Sequence, residues 1–429
     1  MSTAYTSGPE VGATGPALPL AASASRRIAS LDFIRGLAVM GILAANIVAF
    51  GQPMPAYMFP DAFTVPHSEA EDWMWVGQFI LIDGKMRGLF SLLFGAGMYL
   101  FLEKAWARGQ GVWLQVQRLF WLGVIGLLHY FFIWRGDILF LYACAGLAGL
   151  LFVALSRRKQ LVLGVLGYLG GCLLYGGFVG FLPAVADTEV GQNPAYSEMA
   201  RELEEEKQAD LADGELETRL ISSGSYGAWV SHNISDHAGD LPFYLFLFWF
   251  ETLPLMLIGM AAYRYGLFDG GVDPGRQRKW GWALLVVGTA LTVPVALWAK
   301  NGGLTYYGTL AAMAGFSMLP RGLIILGLVA LLALWGQTVS GGVAERVSAA
   351  GRAAFTNYLG TSILMLLVFH GWGLGLFGAL GRSELYLVML FTWVLMLLWS
   401  KPWLERFRFG PLEWVWRCLT YRKLFPLRW

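Results

Sequence analysis

Apolar stretches of about 20 residues alternate with short polar ones along most of the chain, and a helix needs about that length to cross a hydrocarbon core. Read in order, the pattern predicts ten helical spans: 34–50, 76–102, 119–134, one ending at 156, 161–182, 241–265, 282–299, one within 304–335, 353–377 and 385–400. The run 304–335 is too long for one untilted crossing and is interrupted by Pro320 and Arg321, so a short outer helix or bent entry is expected before its span. The fold class that follows is all-α: a polytopic helical membrane protein with both termini cytoplasmic. Its expected parts are a disordered tail (1–27), an N-terminal membrane bundle (28–182), an extracytoplasmic polar insertion (183–240), a C-terminal membrane bundle (241–404) and a basic, aromatic interfacial tail (405–429).

Composition agrees with the pattern. The 429 residues are 56% hydrophobic and only 14% charged, where a soluble domain carries about a quarter charged residues. The charges are segregated, which is what fixes the orientation. Arg26 and Arg27 before the first span, and Arg157, Arg158 and Lys159 later, belong inside by the positive-inside rule. The loop 51–73 has acidic residues and no Lys or Arg, and belongs outside. So does 183–240, where thirteen acidic residues face Arg201, Lys207 and Arg219 and the middle predicts a solvated helix. Cys144, Cys172 and Cys418 show no paired spacing, so neither a disulfide framework nor a metal site is expected. No P-loop, dinucleotide fingerprint or HExxH motif is present, and no nucleic-acid partner is expected.

Polar residues inside apolar runs carry the candidate chemistry, because charges at hydrocarbon depth are costly unless paired or facing a wet cavity. The segment 129–142, HYFFIWRGDILFLY, has His129, Arg135 and Asp137 where two apolar runs meet. Asp32 and Arg35 are three apart on the first span, and Asn46 falls about 20° from Arg35 on the same helix face. The second span contains DGKMR, with Lys85 and Arg87, followed by Gly88, Ser91 and Gly95 on one face suited to close helix packing. Asn357, Tyr358 and Thr361 could line a central cavity or bond to neighbouring helices. His67, His232 and His237 fall in outer loops, where solvated side chains are the plainer expectation, and His370 near the outer end of the ninth span could reach the face of His129. Gly410-Pro411-Leu412-Glu413 has the form of a helix start.

LDFIRG (31–36), ILAANI (42–47), KMRGLFSLLFGAG (85–97), HYFFIWRGDILFLY (129–142), GRAAFTNYL (351–359) and FGPLEWVWRCLTY (409–421) stand in an order that resembles the YeiB family of bacterial inner-membrane proteins. That family is similar in its first spans to a wider set of transmembrane acyltransferases, including the heparan glucosaminide acetyltransferase. Their Asp-x-x-Arg-Gly and later Asn match Asp32, Arg35, Gly36 and Asn46. The resemblance implies acyl transfer from cytosolic acyl-CoA, as co-substrate, to a small-molecule, glycan or lipid acceptor across the membrane, and it allows an oligomer among membrane lipids. The catalytic His of the heparan enzyme follows the Asn in the first outer loop, where only His67 stands here and considerably farther along, so His129, inside the YeiB-type motif, ranks above it.

On that reading His129 is the general base and Asn46 orients the acyl carbonyl. Asp32, Arg35, Lys85, Arg87, Arg135 and Asn357 are candidate binding residues. Asp137 would orient the imidazole, although eight residues place it about 80° round an uninterrupted helix, so a break at Gly136 is needed to fold it back. The rival expectation is a transporter or a lipid- or solute-binding membrane protein that uses the same polar groups without acyl transfer.

Overall fold

The computed structural model describes residues 28–429, so the expectation of a disordered tail over 1–27 lies outside the described residues. All regular structure among these residues is helical. In chain order the α-helices are α1 Ala29–Gly51, α2 Glu69–Leu81, α3 Lys85–Trp106, α4 Trp113–Phe132, α5 Leu139–Gly149, α6 Arg157–Ala186, α7 Ser197–Ser222 and α8 Tyr226–Ser235. They continue with α9 Leu241–Arg264, α10 Pro274–Asn301, α11 Tyr306–Leu310, α12 Met318–Thr338, α13 Gly342–Arg352, α14 Ala354–Phe369, α15 Arg382–Arg406 and α16 Pro411–Tyr421.

Six of these, α1, α6, α9, α10, α12 and α15, are long and apolar enough to cross a membrane, and α13–α14 makes a seventh if the pair, bent by 85°, counts as one. Ten spans is therefore more than length and composition support. The other predicted spans fall on α3, α4 and the 11-residue α5. α1 is central, with 78% of its apolar window buried, whereas the windows of α6, α10 and α15 are only 22–28% buried. Their outer faces present rows such as Leu166, Leu169 and Leu173 on α6 and Leu387, Phe391 and Val394 on α15. A soluble surface does not carry apolar rows of that extent, and lipid covers them in a membrane protein.

The predicted second span is two helices. Asp83 and Gly84 separate α2 from α3, and Gly84 takes φ +71°, a left-handed conformation that a side chain would strain. A Cβ there would also lie 2.4 Å from the Arg321 side chain. Pro320, expected to interrupt its helix, instead lies in the first turn of α12, where its missing N–H costs little. The short helix predicted ahead of that span is α11, joined to α12 by one π-helical turn, 311–316.

Backbones approach closely where the motifs place small residues. A Cβ on Gly36 would lie 2.0 Å from the Val347 carbonyl oxygen, and one on Gly351 would lie 1.8 Å from that of Asp32, so LDFIRG and GRAAFTNYL are the two sides of the α1–α13 crossing. The predicted face of α3 behaves likewise, since Gly95 packs on the Met256 backbone of α9. The two halves of the sequence thus interleave: α1 packs against α12, α13, α14 and α15, and α9 against α3 and α6. One end of the bundle gathers the start of α1, the end of α3 and the start of α4 with α16, and is the basic end. The opposite end is capped by α7 and α8, with α7 laid over Pro53 and Pro55 through Gly214.

Candidate functional site

A cavity of about 260 Å³ opens at the basic end and runs towards the middle of the bundle, a little smaller than the roughly 300–1,000 Å³ of typical ligand pockets. Its mouth carries Arg35, Lys104, Arg118, Arg352, Arg408 and Arg417 against two carboxylates, Asp32 and Glu413. Neither acid is idle. Asp32 Oδ1 accepts from Arg35 Nη1 at 2.8 Å, the pairing that i,i+3 spacing predicts. Glu413, one turn into α16 after Pro411, caps α14 instead: it accepts from the Phe355 amide at 2.8 Å and the Thr356 hydroxyl at 2.5 Å. Burial pushes its carboxyl above the usual range despite those hydrogen bonds. Arg118 lies over the rings of Phe101 and Trp416.

Past the mouth the lining turns apolar through Val39, Ile42, Phe94 and Leu122, and it ends at Ile138, Tyr142 and Tyr358. Directly behind that end lies a buried histidine–aspartate pair. His129 Nδ1 is 2.9 Å from Asp137 Oδ1, with side chains 0% and 1% exposed. α4 stops at Phe132, and the amides of Ile133 and Trp134 both return to the His129 carbonyl. The turn then reverses the chain and brings Asp137 back, where its Oδ2 accepts the Phe140 amide at 2.8 Å in the first turn of α5. The Tyr358 ring stands 5.3 Å from the imidazole, centre to centre, and its hydroxyl accepts the Ile138 amide at 3.3 Å. A carboxylate accepts only, so a neutral imidazole in this place keeps its proton on Nδ1 and its lone pair on Nε2. Nε2 is buried and has no hydrogen-bond partner.

The other candidates separate into different places. Lys85 is fully buried, and its Nζ donates to the Phe79 carbonyl. Arg87 Nη2 is 2.5 Å from Glu251 Oε2, while Arg321 Nε reaches Glu251 Oε1 at 3.1 Å, so one carboxylate on α9 holds two guanidiniums inside the bundle. Neither Lys85 nor Arg87 lines the cavity. Asn357 is saturated by Ala350, Ser400 and Trp399, a set of helix-to-helix hydrogen bonds. Asn46 is half-buried on α1 beyond the cavity's inner end. His67 lies between Asp61 and Asp72 at 2.9 Å each, and His370 packs on Trp229, Tyr226 and Trp372 rather than on His129.

Arg135 points into the cap, with Glu217 at 3.0 Å and Asp213 at 3.4 Å. His232 and His237, expected to be solvated, are buried in the same cluster, their Nε2 atoms 3.0 and 3.3 Å from Asp213 Oδ1. Partial burial alone would raise the Asp213 carboxyl, but the His237 hydrogen bond and the Arg135 charge hold it down to about 2. Three features were thus missed in the sequence: the mouth arginines of α4 and α16, the role of Glu251, and the cap cluster. The last left a signal, since Asp210, Asp213 and Glu217 recur at i, i+3 and i+7, one inward face of a helix that otherwise meets water.

Residues 262–423 match the family profile described as "Protein of unknown function (DUF418)". Over 408 residues the chain is 32% identical to "Uncharacterized protein YeiB" of Escherichia coli (strain K12), covering 93% of this chain and 98% of that protein. It is 29% identical over 420 residues to "Uncharacterized protein YxaH" of Bacillus subtilis (strain 168), covering 94% of this chain and 96% of the relative. No solved structure matches. Identity at that level along nearly the whole length of both proteins establishes that the chain belongs to the YeiB family.

Proposed function

We propose that this protein is a transmembrane acyltransferase of a bacterial inner membrane that moves an acyl group from cytosolic acyl-CoA to an acceptor reaching it from the capped, extracytoplasmic end. One observation carries the reading: the cavity has a cationic mouth and an apolar depth, and Tyr358 and Ile138 at its inner end separate it from the His129–Asp137 pair by a single side chain's thickness. Phosphate groups suit a ring of arginines, because guanidiniums pair with them through charge-assisted hydrogen bonds. An acyl-pantetheine arm suits the apolar depth.

In this scheme Arg35 and Arg118 hold phosphates at the mouth while the thioester carbonyl lies by Tyr142 and Tyr358. An acceptor hydroxyl or amine gives its proton to His129 Nε2 as its heteroatom bonds to the acyl carbon. The C–S bond then breaks, and the CoA thiolate leaves and takes up that proton. Asp137 keeps the imidazole in the required tautomer and stabilises the imidazolium that forms. A transporter has one observation in its favour, the buried Arg87–Glu251–Arg321 cluster, of the kind that lines ion and proton paths.

The test uses protein reconstituted in vesicles with acetyl-CoA and a bacterial lipid and glycan extract, with CoA thiol release as the readout. Release by the wild type, lost in His129→Ala of unchanged unfolding temperature, supports the reading. Equal release by that variant removes His129 as the base. A lipid or solute that binds with no thioester consumed would favour the transporter.

A further inference from the structure

We infer that the cap holds a divalent transition-metal ion, Zn²⁺ in ordinary use, on Asp213, His232 and His237. The three residues come from α7, α8 and the connection into α9, and their donor atoms all lie within 4.8 Å of one another. The two Nε2 atoms are 3.3 Å apart, and each faces Asp213 Oδ1, at 3.0 and 3.3 Å. Ligands set tetrahedrally around zinc at about 2.0–2.1 Å lie about 3.3 Å from one another, so the triangle is already the size of one face of such a site.

The protons are arranged for it as well. His232 Nδ1 is 2.6 Å from Asp236 Oδ2, and His237 Nδ1 is 2.8 Å from Asp240 Oδ2. A carboxylate behind each imidazole holds the proton on Nδ1, the usual outer partner of metal-bound histidine, so Nε2, which faces Asp213, is the nitrogen that gives up its proton when a metal enters. Arg135 Nη1 also contacts His237 Nε2, so a cationic group already stands against this set. Two imidazole Nε2 atoms and a carboxylate oxygen therefore converge, a donor set that suits Zn²⁺ once the imidazoles are neutral.

Arg135 is the cation already in contact with this set. An entering metal takes over Asp213 Oδ1 and the two imidazoles and displaces Arg135 from His237. Arg135 retains Glu217 at 3.0 Å and the second Asp213 oxygen. The ion would pin α7 to the α8–α9 connection, and because Arg135 stands two residues before Asp137, the same turn would be tightened on the bundle. The site does not depend on the acyltransferase reading, since none of its ligands lines the cavity.

The experiment titrates Co²⁺ into chelator-treated, detergent-solubilised full-length protein. Ligand-field absorption and the unfolding temperature are followed, and Zn²⁺ is then added in competition. The expected result is saturable binding of one ion per chain, visible bands removed by Zn²⁺, and a rise in unfolding temperature. His232→Ala should abolish the bands. Asp236→Asn, which leaves every ligand in place, should weaken affinity by roughly 10–100-fold. Arg135→Gln should bind at least as tightly as the wild type. No saturable binding by folded wild type, or bands that persist in His232→Ala, would overturn the site, and weaker binding by Arg135→Gln would overturn the displacement.

Discussion

Two histidine–aspartate groupings stand at different heights in this molecule, and they differ in what each leaves unsatisfied. Inside the bundle, His129 has one carboxylate on Nδ1, no partner on Nε2 and an apolar cavity ending beside it. In the cap, His232 and His237 also keep a carboxylate on Nδ1, but their Nε2 atoms converge on a third carboxylate with Arg135 against them. On the two proposals made above, the same second-neighbour device would serve two chemistries. An Nε2 left unpartnered near a cavity suits proton transfer, and Nε2 atoms brought together on a carboxylate suit a cation. Residue type does not distinguish the two; the number of acceptors that meet at Nε2 does.

The largest test of that distinction is activity. Asp137→Asn keeps the size of the side chain but presents an amide that favours the wrong imidazole tautomer, so CoA release should fall by a factor on the order of 10³–10⁴, as for triad aspartates. Asp240→Asn in the cap should leave release within about twofold, and a comparable loss there would erase the contrast.

Next in size is the buried Arg87–Glu251–Arg321 cluster. Glu251→Gln removes the carboxylate that both Arg87 and Arg321 pair with, and breaking a buried pair in this way should cost about 3–5 kcal/mol, read as a lowered midpoint of unfolding in detergent. Tyr358→Phe removes the hydroxyl that accepts the Ile138 amide behind the cavity. That should cost about 1–3 kcal/mol and loosen the turn that holds Asp137, with activity falling more than stability. Smallest is Arg201→Ala on the outward face of α7, whose pair with Glu205 is about two-thirds exposed and is worth at most about 1 kcal/mol, against the inward face that carries Asp213.

Much of the frame was legible before any coordinate. The helical class, the small-residue face of α3 and the start of α16 at Pro411 all follow from periodicity and local chemistry, which act over a few residues. What escaped depends on contacts distant in sequence. The α13–α14 bend carries neither Pro nor a polar run to announce it. The meeting of His129 and Asp137 was expected to need a break at Gly136; the helix stops earlier, at Phe132, and the turn that follows closes the eight-residue gap. Asp213 and His232 lie on different helices, and a charged, mostly exposed α7 hid its inward face. Arg135 belonged by position to the 129–142 motif, yet the turn points it into the cap.

The most direct measurement is calorimetric titration of acetyl-CoA and of free CoA into purified, folded protein, repeated with Arg35→Ala and with Val39→Trp, which fills the cavity from α1. Saturable binding of both ligands is predicted, weakened at least tenfold by Arg35→Ala and more steeply still by Val39→Trp, with affinity falling as salt rises. Absence of binding by folded wild type, or binding that Val39→Trp leaves intact, would contradict the assignment of the cavity as the acyl-CoA site.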